Sequence, residues 1–271
     1  MEGDGAVRLS DILRNNVREK LTRGEVVASM TVRLVRGIEI ARIAKTAGFD
    51  SIYVDLEHSS LSLDATGQIC MAALEMGLAP FVRVPANTPE YISRVLDGGA
   101  LGVIAPDVRS AEEARAVVAA AKYPPLGRRG AGGPLPHLQY RGFPAVEANA
   151  AVDEATMVIV QLESGEAVER AEEILAVDGV DMALIGANDL LASQGLAGQF
   201  EHARLREAFA RTIAAARKHG KHVGVGGLAS RPELAAELVK MGARYVSTGT
   251  DLAFLLSEAT QRARQVQDMA R

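Results

Sequence analysis

One cysteine, Cys70, is all that the chain of 271 residues contains, so no disulfide can form within it. It sits in the apolar run Ile69-Cys70-Met71-Ala72-Ala73-Leu74. A buried, inert thiol is expected there, because a nucleophilic one needs an electropositive, accessible setting. So little cysteine suits a reducing compartment. An excess of basic charge is missing too: 30 Lys and Arg stand against 34 Asp and Glu, a net charge of −4. Nucleic acid and anionic membrane, which are bound through basic patches, are therefore not expected as partners. A small anionic substrate is still allowed, since a local pocket need not follow the overall sign. No apolar run is long enough to span a bilayer. The opening residues Met1-Glu2-Gly3-Asp4-Gly5 are polar and acidic, unlike a secretory leader. The expectation is a cytoplasmic protein.

What the chain does have is a rhythm. Short apolar runs alternate with longer helical patterns nearly from end to end. Strands are predicted over 26–30, 51–55, 80–84, 102–105, 157–162, 182–185, 222–225 and 245–248. Most are apolar on both faces, as parallel strands covered on both sides must be. Helices are predicted over 37–47, 63–76, 88–97, 111–121, 165–176, 202–219, 231–241 and 252–269. Glycine recurs where helices hand over to strands, at Gly48, Gly77, Gly98-Gly99 and Gly242. Eight such units mean a closed barrel or a doubly wound sheet. The count and a length near 250 residues favour a single (β/α)8 TIM barrel over 1–271, with an extra N-terminal helix at 9–21 capping its bottom. No G-x-G-x-x-G follows the first strand, so the dinucleotide-binding sheet lacks its fingerprint. One stretch, 123–149, breaks the rhythm with five prolines. Its length fits either a functional excursion or an oligomer contact.

In a barrel of this kind, catalytic groups come from the carboxyl ends of strands. Asp55, Glu57 and His58 follow the second strand, Arg83 ends the third, Gln161 and Glu163 end the fifth, and Asp189 follows the sixth. Two carboxylates, Glu163 and Asp189, could hold a hard cation and leave positions open for water and substrate oxygens. An α-keto acid would chelate such a metal, which would then stabilise an enolate as a Lewis acid. Arg83 could share the enolate charge, and His58 could act as general base. Each residue also has a plainer reading. Glu163 and Asp189 could cap helices, Arg83 could pair with a surface carboxylate, and His58 could be a satisfied loop histidine. A Schiff-base mechanism would need a strand-end lysine, and Lys45, Lys122, Lys221 and Lys240 all fall elsewhere.

These blocks resemble the HpcH/HpaI aldolase family over most of the chain, from about Val27 to the last helix. Tyr53-Val54-Asp55-Leu56-Glu57-His58 resembles its D-x-E-H segment, and Phe81-Val82-Arg83-Val84-Pro85 its arginine strand. Tyr123-Pro124-Pro125-Leu126-Gly127-Arg128-Arg129-Gly130 resembles its Y-P-P-x-G-x-R-G turn. Val160-Gln161-Leu162-Glu163-Ser164 and Ile185-Gly186-Ala187-Asn188-Asp189-Leu190 resemble its metal-glutamate strand and metal-aspartate turn. Gaps of 25, 80 and 26 residues separate His58, Arg83, Glu163 and Asp189 in turn. Five blocks in order are a specific signal.

The resemblance implies a class II pyruvate aldolase, cleaving 4-hydroxy-2-oxo acids reversibly to pyruvate, or a close 2-oxo acid, and an aldehyde through a metal-bound enolate. It implies Mg²⁺, Mn²⁺ or Co²⁺ on Glu163 and Asp189, with no organic cofactor. Arg83 and Gln161 would hold pyruvate, with backbone N–H groups of Ala187, Asn188 and Asp189 near its carboxylate. His58 would act as base with help from Asp97, and Asp55 and Glu57 would support these groups from behind. Asp97 ends the third helix, at the barrel bottom, so it reaches His58 only from a neighbouring subunit, or else merely caps its helix. A homo-oligomer, trimer or hexamer, is expected on that ground. The family's G-P-x-D-L-S reads Gly186-Ala187-Asn188-Asp189-Leu190-Leu191 here, without its proline and serine. The loop Gly226-Gly227-Leu228-Ala229-Ser230 differs as well. Gly133-Pro134-Leu135-Pro136-His137 resembles the macrophomate synthase branch, which decarboxylates oxaloacetate and traps the enolate. That chemistry is the alternative expectation, and a barrel binding a keto acid without turnover is a second.

Overall fold

Eight parallel strands close into a barrel in chain order in the computed structural model, which describes residues 8–269. Residues 1–7, which include those behind the expectation of no leader, and residues 270–271 lie outside these. The strands are β1 (Val27–Val32), β2 (Ser51–Asp55), β3 (Ala79–Arg83), β4 (Gly102–Ala105), β5 (Met157–Leu162), β6 (Met182–Gly186), β7 (His222–Gly226) and β8 (Tyr245–Thr250). β8 pairs with β1 to complete the ring.

Strand side chains alternate between two apolar environments. Ile52, Val54, Val82, Val103, Val158, Val160 and Ile185 point outwards and pack beneath the helices. Tyr53, Phe81, Ile104, Ile159, Leu184 and Tyr245 fill the interior. This double burial is why the strands read as unbroken apolar runs. The inward positions turn polar towards the carboxyl ends. Tyr53 is followed inward by Asp55, Phe81 by Arg83, and Ile159 by Gln161, and all three polar side chains are buried. The apolar plug below them leaves one polar end, which is where a site can form.

The structure departs from the sequence expectation at several joints. β1 begins one residue later than predicted and runs two residues further, so Arg33 stands at a strand end. The N-terminal helix is two, Leu9–Ile12 and Asn16–Thr22, because Asn15 caps the second. Its Oδ1 accepts from the Val17 and Arg18 N–H groups at 3.1 Å, and its Nδ2 donates to Ala155 O at 2.7 Å. That fixes the segment across the barrel bottom. The helix predicted over 165–176 breaks at Arg170 into Gly165–Glu169 and Ala171–Leu175. The irregular stretch holds a 3-10 turn, Pro136–Leu138, and the start of a helix, Ala145–Ala155. Leu135, Leu138, Tyr123 and Val152 form a small core there with Leu9 and Leu13. No described helix is long and apolar enough to cross a membrane.

His137 is buried in this bottom layer, its Nε2 2.9 Å from Ala100 O and its Nδ1 without a partner. Burial pushes its pKa down to about 4, against the hydrogen bond to Ala100. The unfolded chain therefore binds a proton there below about 6.5 that the folded chain refuses until about 4, so falling pH in that window favours unfolding. Glutamine at this position keeps an N–H for Ala100 and cannot titrate. Relative to His137→Gln, the parent should lose about 2–3 kcal/mol of stability between pH 7 and pH 4. Urea unfolding of both at several pH values measures this, and a constant difference would mean that the ring is not held neutral.

Candidate functional site

The register of the sheet assembles the polar end. Asp55 and Arg83 are direct partners between β2 and β3. Arg83 Nε donates to Asp55 Oδ1 at 2.9 Å and Nη2 donates to Oδ2 at 2.7 Å, a two-pronged ion pair with no exposure at the carboxylate. Arg33 Nε donates to the same Oδ2 at 2.6 Å. Asp55 Oδ1 also accepts from the Glu57 and His58 backbone N–H groups at 3.1 and 3.3 Å, which sets the turn that carries His58. Burial pushes the Asp55 carboxyl up, but the hydrogen bonds and charges of Arg83 and Arg33 outweigh it and hold its pKa below the usual range. Burial likewise opposes the charge on Arg83, and Asp55 and Glu57 overcome it.

Arg83 links this carboxylate to the next strand. Its guanidinium lies 5.5 Å from the Tyr53 ring centre, and its Nη1 is 2.9 Å from Glu57 Oε2 and 3.4 Å from Gln161 Oε1. Gln161 Nε2 donates to Glu163 Oε2 at 2.6 Å, and the Asp107 backbone N–H donates to Glu163 Oε1 at 2.8 Å. The chain of contacts thus runs from Arg33 through Asp55, Arg83 and Gln161 to Glu163. Gly186, at the end of β6, leaves the room this needs. A Cβ there would lie 2.9 Å from Gln161 Nε2 and 3.0 Å from Glu163 Oε2.

Glu163 is not the cap of the helix after it; Ser164 is, accepting from the Ala167 N–H. The Glu163 carboxylate instead meets Gln161 and the Asp107 backbone N–H. Burial, the charges of Asp189 and Glu57, and only partial relief from Asp107 and Arg83 raise its pKa to about 7. Asp189 belongs to the first turn of a helix, Ala187–Ser193, that replaces the predicted turn after β6. Asn188 beside it reaches Gly227 O at 3.5 Å, and Gly227, at φ +80, brings its backbone close. Among the described residues no group of three or more His, Cys, Asp or Glu could hold a metal. Glu163 and Asp189 are near enough for the charge of Asp189 to act on Glu163, and a pair of carboxylates that leaves other positions to water and substrate oxygens suits a hard divalent cation.

Part of this set lines one cleft of about 490 Å³ at the carboxyl end of the barrel, while Glu163, Asp55 and Glu57 stand behind its lining. His58, Arg83, Gln161, Asn188 and Asp189 line it, as do Arg33, Gly186, Phe200, Ser230 and Thr250. His58 is half-exposed, with Nε2 3.7 Å from Glu57 Oε2. Ala187 is fully buried beneath the lining. Asp97 is not brought here. It pairs with Arg129 Nη2 at 2.7 Å at the barrel bottom, where Arg129 also stacks on Tyr123. The Gly133–His137 segment lies at that end too, far from the cleft of its own chain. Arg33 and Asp107 escaped the sequence reading. Arg33 was hidden by a strand end set too early, and Asp107 contributes only backbone.

A family model described as HpcH/HpaI aldolase/citrate lyase matches residues 36–257. The chain is 41% identical over 222 residues to a 4-hydroxy-4-methyl-2-oxoglutarate aldolase of Hapsidospora irregularis, covering 81% of this chain and 82% of that one. It is 31% identical to the 2-keto-3-deoxy-L-rhamnonate aldolase of Escherichia coli strain K12, over 94% of both. Among solved structures, an HpcH/HpaI aldolase from Desulfitobacterium hafniense superposes with a TM-score of 0.86 at 31% identity, covering 92% of this chain and 96% of that one.

The geometry makes Asp55 the keystone. Asp55→Asn keeps the shape but removes the charge that two guanidiniums face. Breaking one side of a buried ion pair costs about 3–5 kcal/mol, and a loss of that size is expected in denaturant unfolding at neutral pH. A variant as stable as the parent would show that the pair is dispensable.

Proposed function

The chain belongs to the HpcH/HpaI aldolase/citrate lyase family, and on that premise we propose that its cleft cleaves 4-hydroxy-2-oxo acids to pyruvate, or a close 2-oxo acid, and an aldehyde, and runs the reverse addition. The named relatives are aldolases, and this chain is likewise a carbon–carbon lyase. The observation that carries the reading is the line of contacts joining Arg83 to Glu163 through Gln161, on the rim that also holds His58 and Asp189.

In the cleavage direction His58 takes the proton of the C4 hydroxyl, the C3–C4 bond breaks, and its electron pair moves into the 2-oxo fragment. The aldehyde leaves, and the enolate takes a proton at C3 to become pyruvate. Arg83 donates to the developing oxyanion, held in place by Asp55 and Glu57. Gln161 orients the 2-oxo acid, and the backbone at 187–189 borders its carboxylate. Glu163 and Asp189 would hold a divalent cation, Mg²⁺, Mn²⁺ or Co²⁺, which supplies Lewis acidity when bound. Asp55 and Glu57 act behind this set by fixing Arg83 and the His58 turn.

We further propose a homo-oligomer, a trimer or hexamer, in a reducing compartment such as the cytoplasm. The final helix, Asp251–Asp268, is exposed along nearly its whole length and displays Leu252, Phe254, Leu255 and Leu256. An apolar groove of about 320 Å³ runs over β1, β8 and the helix Pro232–Met241, lined by Val27, Ala235, Val239 and Val246. Apolar surface of this kind supports a contact with another chain. Asp97, at the far end of its own barrel, takes part in proton transfer with His58 only if a neighbouring copy brings it.

Glu163→Gln and Asp189→Asn each remove a charge from the pair. Both variants should fold, bind Mn²⁺ at least tenfold more weakly in calorimetry, and lose retro-aldol turnover, as chelation of the parent should. Full turnover by either variant, or by the chelated parent, would reject the two-carboxylate site.

A further inference from the structure

The lyase reading gives no task to Arg33. Its side chain lines the cleft and is 34% exposed, whereas Arg83 beside it is 4% exposed. Both guanidiniums sit on the same oxygen of Asp55, at 2.6 and 2.7 Å. Their engagement differs. Arg83 binds Asp55 through Nε and Nη2 and reaches Glu57 and Gln161 through Nη1, which leaves one Nη2 hydrogen for a substrate oxygen. The Nε–H bond to Asp55 is the one hydrogen bond that the Arg33 guanidinium makes among the described residues, and neither of its terminal nitrogens is buried. Four of its five N–H groups therefore have no protein partner among the described residues.

The backbone that carries Arg33 is fixed. The N–H groups of Arg33, Leu34 and Val35 all donate to the buried Asp251 carboxylate, at 2.9, 3.0 and 2.8 Å. Asp251 begins the last helix, so the end of β1 is tied to the end of β8. An arginine launched from so rigid a base, with Nε anchored, presents Nη1 and Nη2 as a ready pair of donors. A carboxylate accepts such a pair side by side. Thr31, Ser230, Ser247 and Thr250 add hydroxyls to the lining, and Asp189 is its one acidic residue.

We propose that Arg33 is the specificity residue for the acceptor half of the cleft, where its guanidinium fork grips a carboxylate on the carbonyl acceptor. This rests on the lyase reading, in which Arg83 and Gln161 serve the pyruvate half. Arg33 stands across Asp55 from Arg83, at the distance of one shared oxygen. One anionic end of the substrate meets each side, and the carbon–carbon bond lies between.

The test is the addition of pyruvate to glyoxylate and to glycolaldehyde, acceptors of equal length with and without the carboxylate, by the Mg²⁺- or Mn²⁺-loaded protein. The parent should favour glyoxylate in kcat/KM. Arg33→Gln should lower that preference about 10–100-fold, mainly through the KM for glyoxylate. Arg33→Lys, which keeps the charge beside Asp55 but loses the fork, should lower it by a smaller factor, and it answers the question if the glutamine variant does not fold. A parent that prefers glycolaldehyde, or variants that slow both acceptors equally, would overturn the inference and leave Arg33 as a prop for Asp55. A metal-loaded parent that joins pyruvate to neither acceptor and cleaves no 4-hydroxy-2-oxo acid would overturn the lyase reading itself.

Discussion

A carboxylate with no access to water stays charged only if its surroundings repay the lost hydration. Asp55 manages this with two guanidiniums and two backbone N–H groups. Three strands meet at that point, since Arg33 comes from the end of β1, Asp55 from β2 and Arg83 from β3. The sheet register brings Asp55 and Arg83 face to face. The turn that carries His58 is built on the same oxygen that binds Arg83 Nε. Neutralising Asp55 would therefore loosen the Arg83 guanidinium and the turn that carries His58 together.

The opposite side of the cleft has the reverse problem. Glu163 is half-buried, and burial first, with the charges of Asp189 and Glu57 adding to it, raises its pKa to about 7. Gln161 mediates between the two sides, accepting from Arg83 and donating to Glu163. The surplus of cation near Arg33 and of anion near Glu163 gives the cleft a polarity along the barrel rim. A substrate with oxygens at both ends and a divalent cation at one of them matches that polarity. The apolar plug of Tyr53, Phe81, Ile159 and Leu184 beneath closes the lower end and keeps the chemistry at the carboxyl ends of the strands.

Much of this was legible in the residues. Ser51–Asp55, Gly102–Ala105 and Met157–Leu162 are strands over the predicted spans, because β-branched runs buried on both faces leave little ambiguity. His58, Arg83, Gln161 and Asp189 were expected at one rim and do line one cleft. The losses have physical causes. Thr31 and Val32 continue β1 beyond its predicted end, and stopping at Met30 concealed Arg33 as a strand-end group. Ala145–Ala155 begins inside the proline-bearing stretch 123–149, just after Pro144, and its alanines blur the buried stripe of Ala148, Val152 and Ala155. The turn around Asn188 is helical because the backbone after Gly186 turns directly into Ala187–Ser193. The Gly133–His137 segment packs against the bottom, so its resemblance to an enolate-trapping branch bears on architecture there and not on the cleft of its own chain.

At the centre of the account is an enolate of pyruvate formed at Arg83 without a covalent link to the protein. Its most direct measure is the exchange of pyruvate methyl protons for deuterium, followed by NMR with no acceptor present. The account predicts exchange that requires an added divalent cation and falls about 10²–10³-fold in Arg83→Ala, the usual loss for one oxyanion donor. Exchange that is unchanged in Arg83→Ala, or that proceeds through an adduct trapped on a lysine by borohydride, would contradict it.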